Sequence, residues 1–273
     1  MKRPFVFNHR INILLLIIAS ILTACEFKLK PNEDDDQPTH LQVQRYDRLE
    51  SRYLTTGDFS ALQQMNTTYP IQTRTLIEDM LQLGEVSDPE INSKFLNFYQ
   101  DTTLQAVIAD VQTQYAVMDD INEEFDKAFS TLKKWLPELE VPLIYSQIGA
   151  LNQSVVVGNE LIGISLDKYL GSDYAIYKRF GYSKTQLETM TRSYIVPDGL
   201  TFFLLSLYPL ERLDQRPQEE KDLHMGKVMW TVNNVLGTQV FKNDYVKRVD
   251  QYMKKHPNMT VKQLLENKDY SVL

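Results

Sequence analysis

The residue with the most specific chemistry is Cys25, the one cysteine in the chain, which directly follows Leu22-Thr23-Ala24. An aliphatic residue, two small residues and a cysteine make a lipobox. Small side chains suit the subsites of a signal peptidase, and the thiol sulfur is the atom that takes a diacylglyceryl group. Lipidation also accounts for a lone cysteine in an exported chain, and it leaves the mature fold without a disulfide. Upstream, Lys2, Arg3 and Arg10 precede an apolar run from Ile11 to Leu22. That run is roughly a dozen residues, whereas a spanning helix needs about 20. Residues 1–24 therefore read as a lipoprotein signal peptide. Each buried CH₂ of an acyl chain contributes about 0.8 kcal/mol, so a multiply acylated Cys25, palmitate included, predicts a permanent membrane anchor.

Hydrolytic chemistry is harder to find. Zinc needs neutral imidazoles that share one ion, commonly at i and i+4 on a helix with a glutamate beside them. Of four histidines, His9 falls in the signal segment and His40 after it, leaving His224 and His256 far apart. Gly163-Ile164-Ser165-Leu166-Asp167 begins like a nucleophile elbow, but Asp167 stands where the second small residue belongs. Thirty-six acidic residues always offer carboxylate pairs, and no spacing singles one out. Glycine-rich phosphate loops are absent. These readings predict no catalytic, cofactor-binding or metal-binding residue, no cofactor, and no enzyme.

The chain carries 29 Lys+Arg against 36 Asp+Glu. Three of the basic residues precede Cys25, which leaves 26 against 36 and a formal charge of −10 after cleavage. No basic stretch is interleaved with aromatics, so nucleic acid is excluded as a partner. Residues 25–40 contain Pro31, Pro38 and the run Glu33-Asp34-Asp35-Asp36, the composition of a solvated, self-repelling tether. Fifteen such residues reach about 50 Å when extended. Glu26, rather than aspartate, follows the cysteine, which points to the outer membrane, with the periplasmic or surface face left open. Residues 41–273 suffice for a single globular domain. Fifteen Tyr and twelve Phe suggest aromatics packed with one end wet.

The elements that must position these residues read mostly as helix. Apolar residues at spacings of three and four mark 43–55, 58–65, 73–83, 104–115 and 121–136, the last opened by Asp120 with Glu123 three residues on. Ser87-Asp88-Pro89-Glu90 is a helix start leading to Ile91, Phe95 and Tyr99. The texture turns β-rich between Val141 and Leu170. Residues 142–145 read as a strand, and 153–157 and 161–166 as a hairpin around Gly158-Asn159, its edges covered by helices. Ser183 to Gln186 forms a capping box before a helical segment running to Leu207, which Pro197 and Gly199 should kink or divide. Residues 201–210 read as a buried helix. Pro217 opens another helix that ends at Gly237, then residues 244–255 and a final capped helix from Thr260 complete the chain. The fold class is α+β, predominantly helical around a small central β-sheet.

Several of these pieces resemble one family. Asn152-Gln153-Ser154-Val155-Val156, then Gly163-Ile164-Ser165-Leu166-Asp167-Lys168-Tyr169-Leu170-Gly171-Ser172-Asp173, is similar to the gliding-motility lipoprotein GldB family. Arg45-Tyr46-Asp47-Arg48, Tyr194-Ile195-Val196-Pro197-Asp198 and Gly226-Lys227-Val228-Met229 fit the same order, over roughly residues 45–235. The resemblance implies an outer-membrane attachment and an association with gliding. It also implies kinship to a zincin-type metallopeptidase fold. The helix corresponding to the active one would lie near 191–205, where there is no histidine. On that kinship the chain is a pseudo-metallopeptidase that has lost its metal. Residues after Gly237 fit the family pattern poorly.

Three functions follow. The first is a non-catalytic accessory lipoprotein that offers a groove, between the hairpin and the helix at Arg192–Asp198, to an envelope protein or peptide. Its candidate groove residues are Asp167, Arg192, Tyr194 and Asp198. The alternative is a divergent peptidase or cell-wall hydrolase with a metal near His224. The third is a structural module that braces the envelope.

Overall fold

The computed structural model describes residues 40–158 and 160–273. The expected signal peptide, Cys25 and the expected tether through Thr39 lie outside the described residues, as does Asn159 of the hairpin turn. From His40 onward the chain is fastened to the domain. The Leu41 and Val43 N–H groups donate to Asp126 and Asn122, each at 3.0 Å. Those two acceptors are four residues apart on one helix and so share a face.

The leading helices are α1 (Tyr46–Thr56), α2 (Phe59–Thr68) and α3 (Pro70–Arg74), the last continued by a π-helical turn over Thr75–Met80. The helix expected from Val43 starts three residues later, because its first residues are extended. Gln44 donates to the Ile144 carbonyl and accepts from the Ser146 N–H, at 2.8 and 2.9 Å. This extended segment, rather than a helix, closes the outer edge of the first strand. Next come α4 (Ile91–Phe98), α5 (Thr102–Gln114) and α6 (Asp119–Trp135).

The sheet has three strands, β1 (Leu143–Gln147), β2 (Val155–Gly158) and β3 (Leu161–Ser165), in the order β1-β3-β2. The expected hairpin is present: β2 and β3 pair antiparallel, Gly158 opposite Leu161. The third strand joins it out of sequence order, with β1 parallel to β3 and Tyr145 opposite Gly163. That register depends on glycine. A Cβ at Gly163 would lie 2.5 Å from the Tyr145 ring and hydroxyl, so the absent side chain lets Tyr145 lie across the strand.

Beyond the sheet follow α7 (Ala175–Arg179), α8 (Lys184–Thr189), α9 (Ile195–Leu207), α10 (Gln218–Leu236), α11 (Asp244–Lys255) and α12 (Val261–Glu266). The two expected capping boxes, Ser183 with Gln186 and Thr260 with Gln263, are both formed. The segment from Ser183 to Leu207 is divided, but not by Pro197 or Gly199. The break falls at Met190–Thr191, and Arg192–Tyr194 forms a 3₁₀ turn. Pro197 is the third residue of α9, where the N–H would have no intrahelical acceptor, so the ring costs no hydrogen bond there. The apolar run at 201–210 stays helical only to Leu207, and Phe202 and Leu207 are exposed.

One hydrophobic core runs from Val43 to Leu265. Its largest members correct the reading of the aromatics as half-wet. Tyr46, Tyr99, Tyr115, Tyr169 and Tyr177 are fully buried. Their hydroxyls are used inside the fold: Tyr99 donates to the Ile148 carbonyl and Tyr115 to the Tyr169 carbonyl, each at 2.6 Å. A buried hydroxyl that lost such a partner would cost about 1–3 kcal/mol, so each bond ties a helix to one loop position.

The C-terminal helices dock through a glycine. A Cβ on Gly226 of α10 would meet Tyr245 of α11 at 2.9 Å, and its backbone carbonyl carbon at 3.1 Å. Next to it, the wholly buried Lys227 donates to the Asn267 carbonyl at 2.6 Å. Gly226 and Lys227 thus hold the end of the chain, and burial pulls the lysine down to about 8.

Candidate functional site

The loop after β3 organises the centre of the molecule. Ser165 ends β3, is fully buried and accepts from Gln147 Nε2 at 3.2 Å. Two residues on, Asp167 is also fully buried. Its carboxylate accepts from the Gly149 N–H at 2.8 Å and the Leu151 N–H at 2.5 Å. Between those donors the chain is left-handed at Ala150 (φ 51°) and Leu151 (φ 61°). Non-glycine residues in that region cost of order 1–3 kcal/mol each. Two bonds to an ionisable acceptor, about 1.5–3 kcal/mol each, are of the right size to hold the turn. The Tyr177 hydroxyl donates to the Asp167 carbonyl and accepts from the Leu170 N–H. Burial raises the Asp167 carboxyl against the lowering effect of its two N–H donors.

Arg192 is a second fastening. Its guanidinium grips both Asp120 oxygens, at 2.6 and 2.8 Å, and donates to the carbonyls of Val117 and Gln114. It also lies over the Tyr115 ring, 5.0 Å from the centroid. This removes Asp120 from the role expected of it: α6 begins at Asp119 without a side-chain cap, and the carboxylate turns to Arg192 instead. Because Arg192 leads directly into α9, the clamp sets where that helix begins. Tyr194 is half-buried with its ring against Phe241, centroids 6.2 Å apart.

Asp198 has a different setting. It sits in the first turn of α9 and lines a cleft of about 160 Å³ at the junction of the hairpin and that helix. The other walls are Ser154 before β2, Lys168 and Tyr169 after β3, Tyr182, and Gln186, Thr189 and Met190 of α8 and its end. Tyr169 donates its hydroxyl to Asp198 Oδ2 at 2.9 Å. No lysine or arginine among the described residues forms an ion pair with this carboxylate. Lys168 lines the same cleft, but its ammonium is spent on the carbonyls of Leu151 and Asn152 and on the Tyr182 hydroxyl. Burial pushes the Asp198 carboxyl up to about 7, with the Tyr169 hydrogen bond acting the other way.

A small cleft lies at the junction where the sequence places a groove, and of the four candidate residues Asp198 lines it. Asp198 opens into the cleft. Asp167 lies in the buried loop, Arg192 clamps the α5–α6 connection, and Tyr194 packs on Phe241. Sequence reasoning missed Tyr169, Lys168 and Met190. Tyr169 was within reach of it, being two residues from Asp167 in the same motif. Gln186, the capping-box residue, lines the cleft as well, and its side chain accepts from the Ser183 N–H.

His224 and His256 lie apart from this cleft. His224 is buried with Nδ1 2.9 Å from the Tyr270 hydroxyl, and burial lowers it to about 4. His256 Nδ1 meets the Tyr252 carbonyl at the end of α11. Among the described residues no three His, Cys, Asp or Glu side chains converge as a metal site. None of the described helices is long and apolar enough to cross a membrane.

The fold and the cleft define a mostly helical α+β domain with a small polar recess beside a hairpin. The chain belongs to the gliding motility protein GldB family, whose model matches residues 27–242. This is a family of gliding-motility-associated lipoproteins. The match takes in the sheet, the cleft and α10, and stops before α11. Comparison with curated proteins and with solved structures returned no match.

Proposed function

We propose that this protein is a non-catalytic, lipid-anchored accessory component of a cell-envelope machinery of the gliding-motility type, held at the outer membrane by acyl chains on Cys25. It binds an envelope protein or peptide at the Asp198 cleft. The carrying observation is the contrast between Asp198 and the other polar motif residues. Asp47, Asp167, Arg192 and Lys227 spend their hydrogen bonds inside the fold. Asp198 has, among the described residues, a single hydroxyl partner and lines the cleft. A binding role also agrees with the lining, which pairs one carboxyl with a tyrosine and offers no activated nucleophile beside a base.

Two experiments test this. Crosslinked cells carrying the full chain should yield a partner that is lost on Asp198→Asn and kept on Tyr194→Phe; a partner kept in both removes the cleft from the function. Cys25→Ser should release the chain from the membrane fraction. Stoichiometric zinc in the purified chain, with turnover abolished by EDTA, would replace this reading with the divergent peptidase or cell-wall hydrolase.

A further inference from the structure

The cleft at Asp198 is too small for most metabolites. Pockets for drug-sized ligands run about 300–1,000 Å³, whereas this one is about 160 Å³. That is the scale of one side chain. The cleft is lined by the Asp198 carboxylate, which among the described residues has no ion-pair partner and accepts a hydrogen bond from Tyr169 alone. A buried carboxylate is costly to ionise unless it is paired, and the one lysine lining this cleft is engaged elsewhere. Lys168 uses its donors on two carbonyls and a phenol, and it rests over the Tyr182 ring at 4.5 Å. The lining also includes Met190, an adaptable apolar residue that suits an aliphatic stem. Tyr194, Glu188, Lys184 and Arg192 are the other titratable or charged groups on the adjoining turns. The domain is acidic overall, so a basic partner is also favoured in approach.

We infer that the cleft is a receptor for one basic side chain, a lysine or arginine projecting from the partner protein, whose stem lies along Met190 and whose charge meets Asp198. This inference rests on the cleft being the partner site and adds what enters it. Binding supplies the missing counter-charge, so the carboxylate ionises as the cation arrives.

The test uses the full chain in detergent with the methionine methyl groups labelled for NMR, and Met190 as the reporter, assigned through Met190→Leu. The probes are capped lysine amide, capped arginine amide and capped norleucine amide, the last matching the stem without the charge. The expected result is a saturable shift of the Met190 methyl with lysine or arginine amide and none with norleucine amide. Asp198→Asn should weaken that binding tenfold or more while the other methionine signals stay in place. Equal response to norleucine amide, or unchanged affinity in folded Asp198→Asn, overturns the inference. If Asp198→Asn does not fold, Thr189→Lys decides: a resident ammonium in the cleft should abolish probe binding, and unchanged affinity overturns the inference. A partner captured in cells through Asp198, with a cleft indifferent to both basic probes, would leave the proposed function standing and remove only the basic side chain.

Discussion

The Tyr169 hydroxyl donates to the Asp198 carboxylate at 2.9 Å, joining the loop after β3 to the first turn of α9 across 29 residues of chain. The same tyrosine accepts at its carbonyl from the Tyr115 hydroxyl, so α5 holds the residue that holds Asp198. One side chain thus connects the buried scaffold to the open cleft. The hairpin–helix junction is set by this chain of bonds and by the Arg192 clamp.

Asp198 should make stability fall as pH rises. Its folded carboxyl titrates near 7, above its ordinary value of 3.8, so between those two values the folded state binds more protons than the unfolded one. The stabilisation is fully present below about 4 and is lost as pH climbs toward about 7. Glu50 and Asp167, also raised by burial, contribute in the same direction. Urea midpoints of the wild-type chain should therefore drop between pH 5 and 8, and Asp198→Asn should flatten part of that slope. A variant with the wild-type slope would show that Asp198 is ionised throughout.

Asp167→Ala should be among the most damaging single changes. It strips the Gly149 and Leu151 N–H groups of their acceptor inside the core. Two orphaned buried donors cost roughly 2–6 kcal/mol together. Equilibrium unfolding in urea measures this, and a cost below about 1 kcal/mol would mean that the left-handed turn holds itself.

Gly163→Ala tests the sheet register. The new methyl would meet the Tyr145 ring at 2.5 Å, and overpacking of this kind costs about 1–3 kcal/mol. In a Tyr145→Leu background most of that cost should vanish. A double-mutant cycle with no coupling would place the strain elsewhere.

Arg192→Ala should cost more than Asp120→Ala. The exposed ion pair itself contributes about 0–1 kcal/mol, but Arg192 also satisfies the Val117 and Gln114 carbonyls. Equal losses in the two variants, read from urea midpoints, would mean that the carbonyl bonds carry no energy.

Much of this protein is determined within a few residues of chain, and the sequence states that part openly. The boxes at Ser183 and Thr260, the left-handed Gly237 that ends α10, and the β2–β3 hairpin depend on local donors, acceptors and backbone freedom. The lipobox expected at Leu22–Cys25 is an equally local reading, and it lies outside the described residues. Tertiary structure decided the rest. Asp120 looked like a cap until Arg192, 72 residues away, competed for its carboxylate with a bidentate grip. Asp167 and Asp198 are the same residue type in two family motifs, and sequence placed both in the groove. Packing sealed one under a turn and left the other facing the cleft. The parallel pairing of β1 to β3 is likewise invisible locally, because it depends on a missing side chain opposite Tyr145. Burial, and competition for a limited number of hydrogen-bond partners, are properties of the packed chain; no window of sequence contains them.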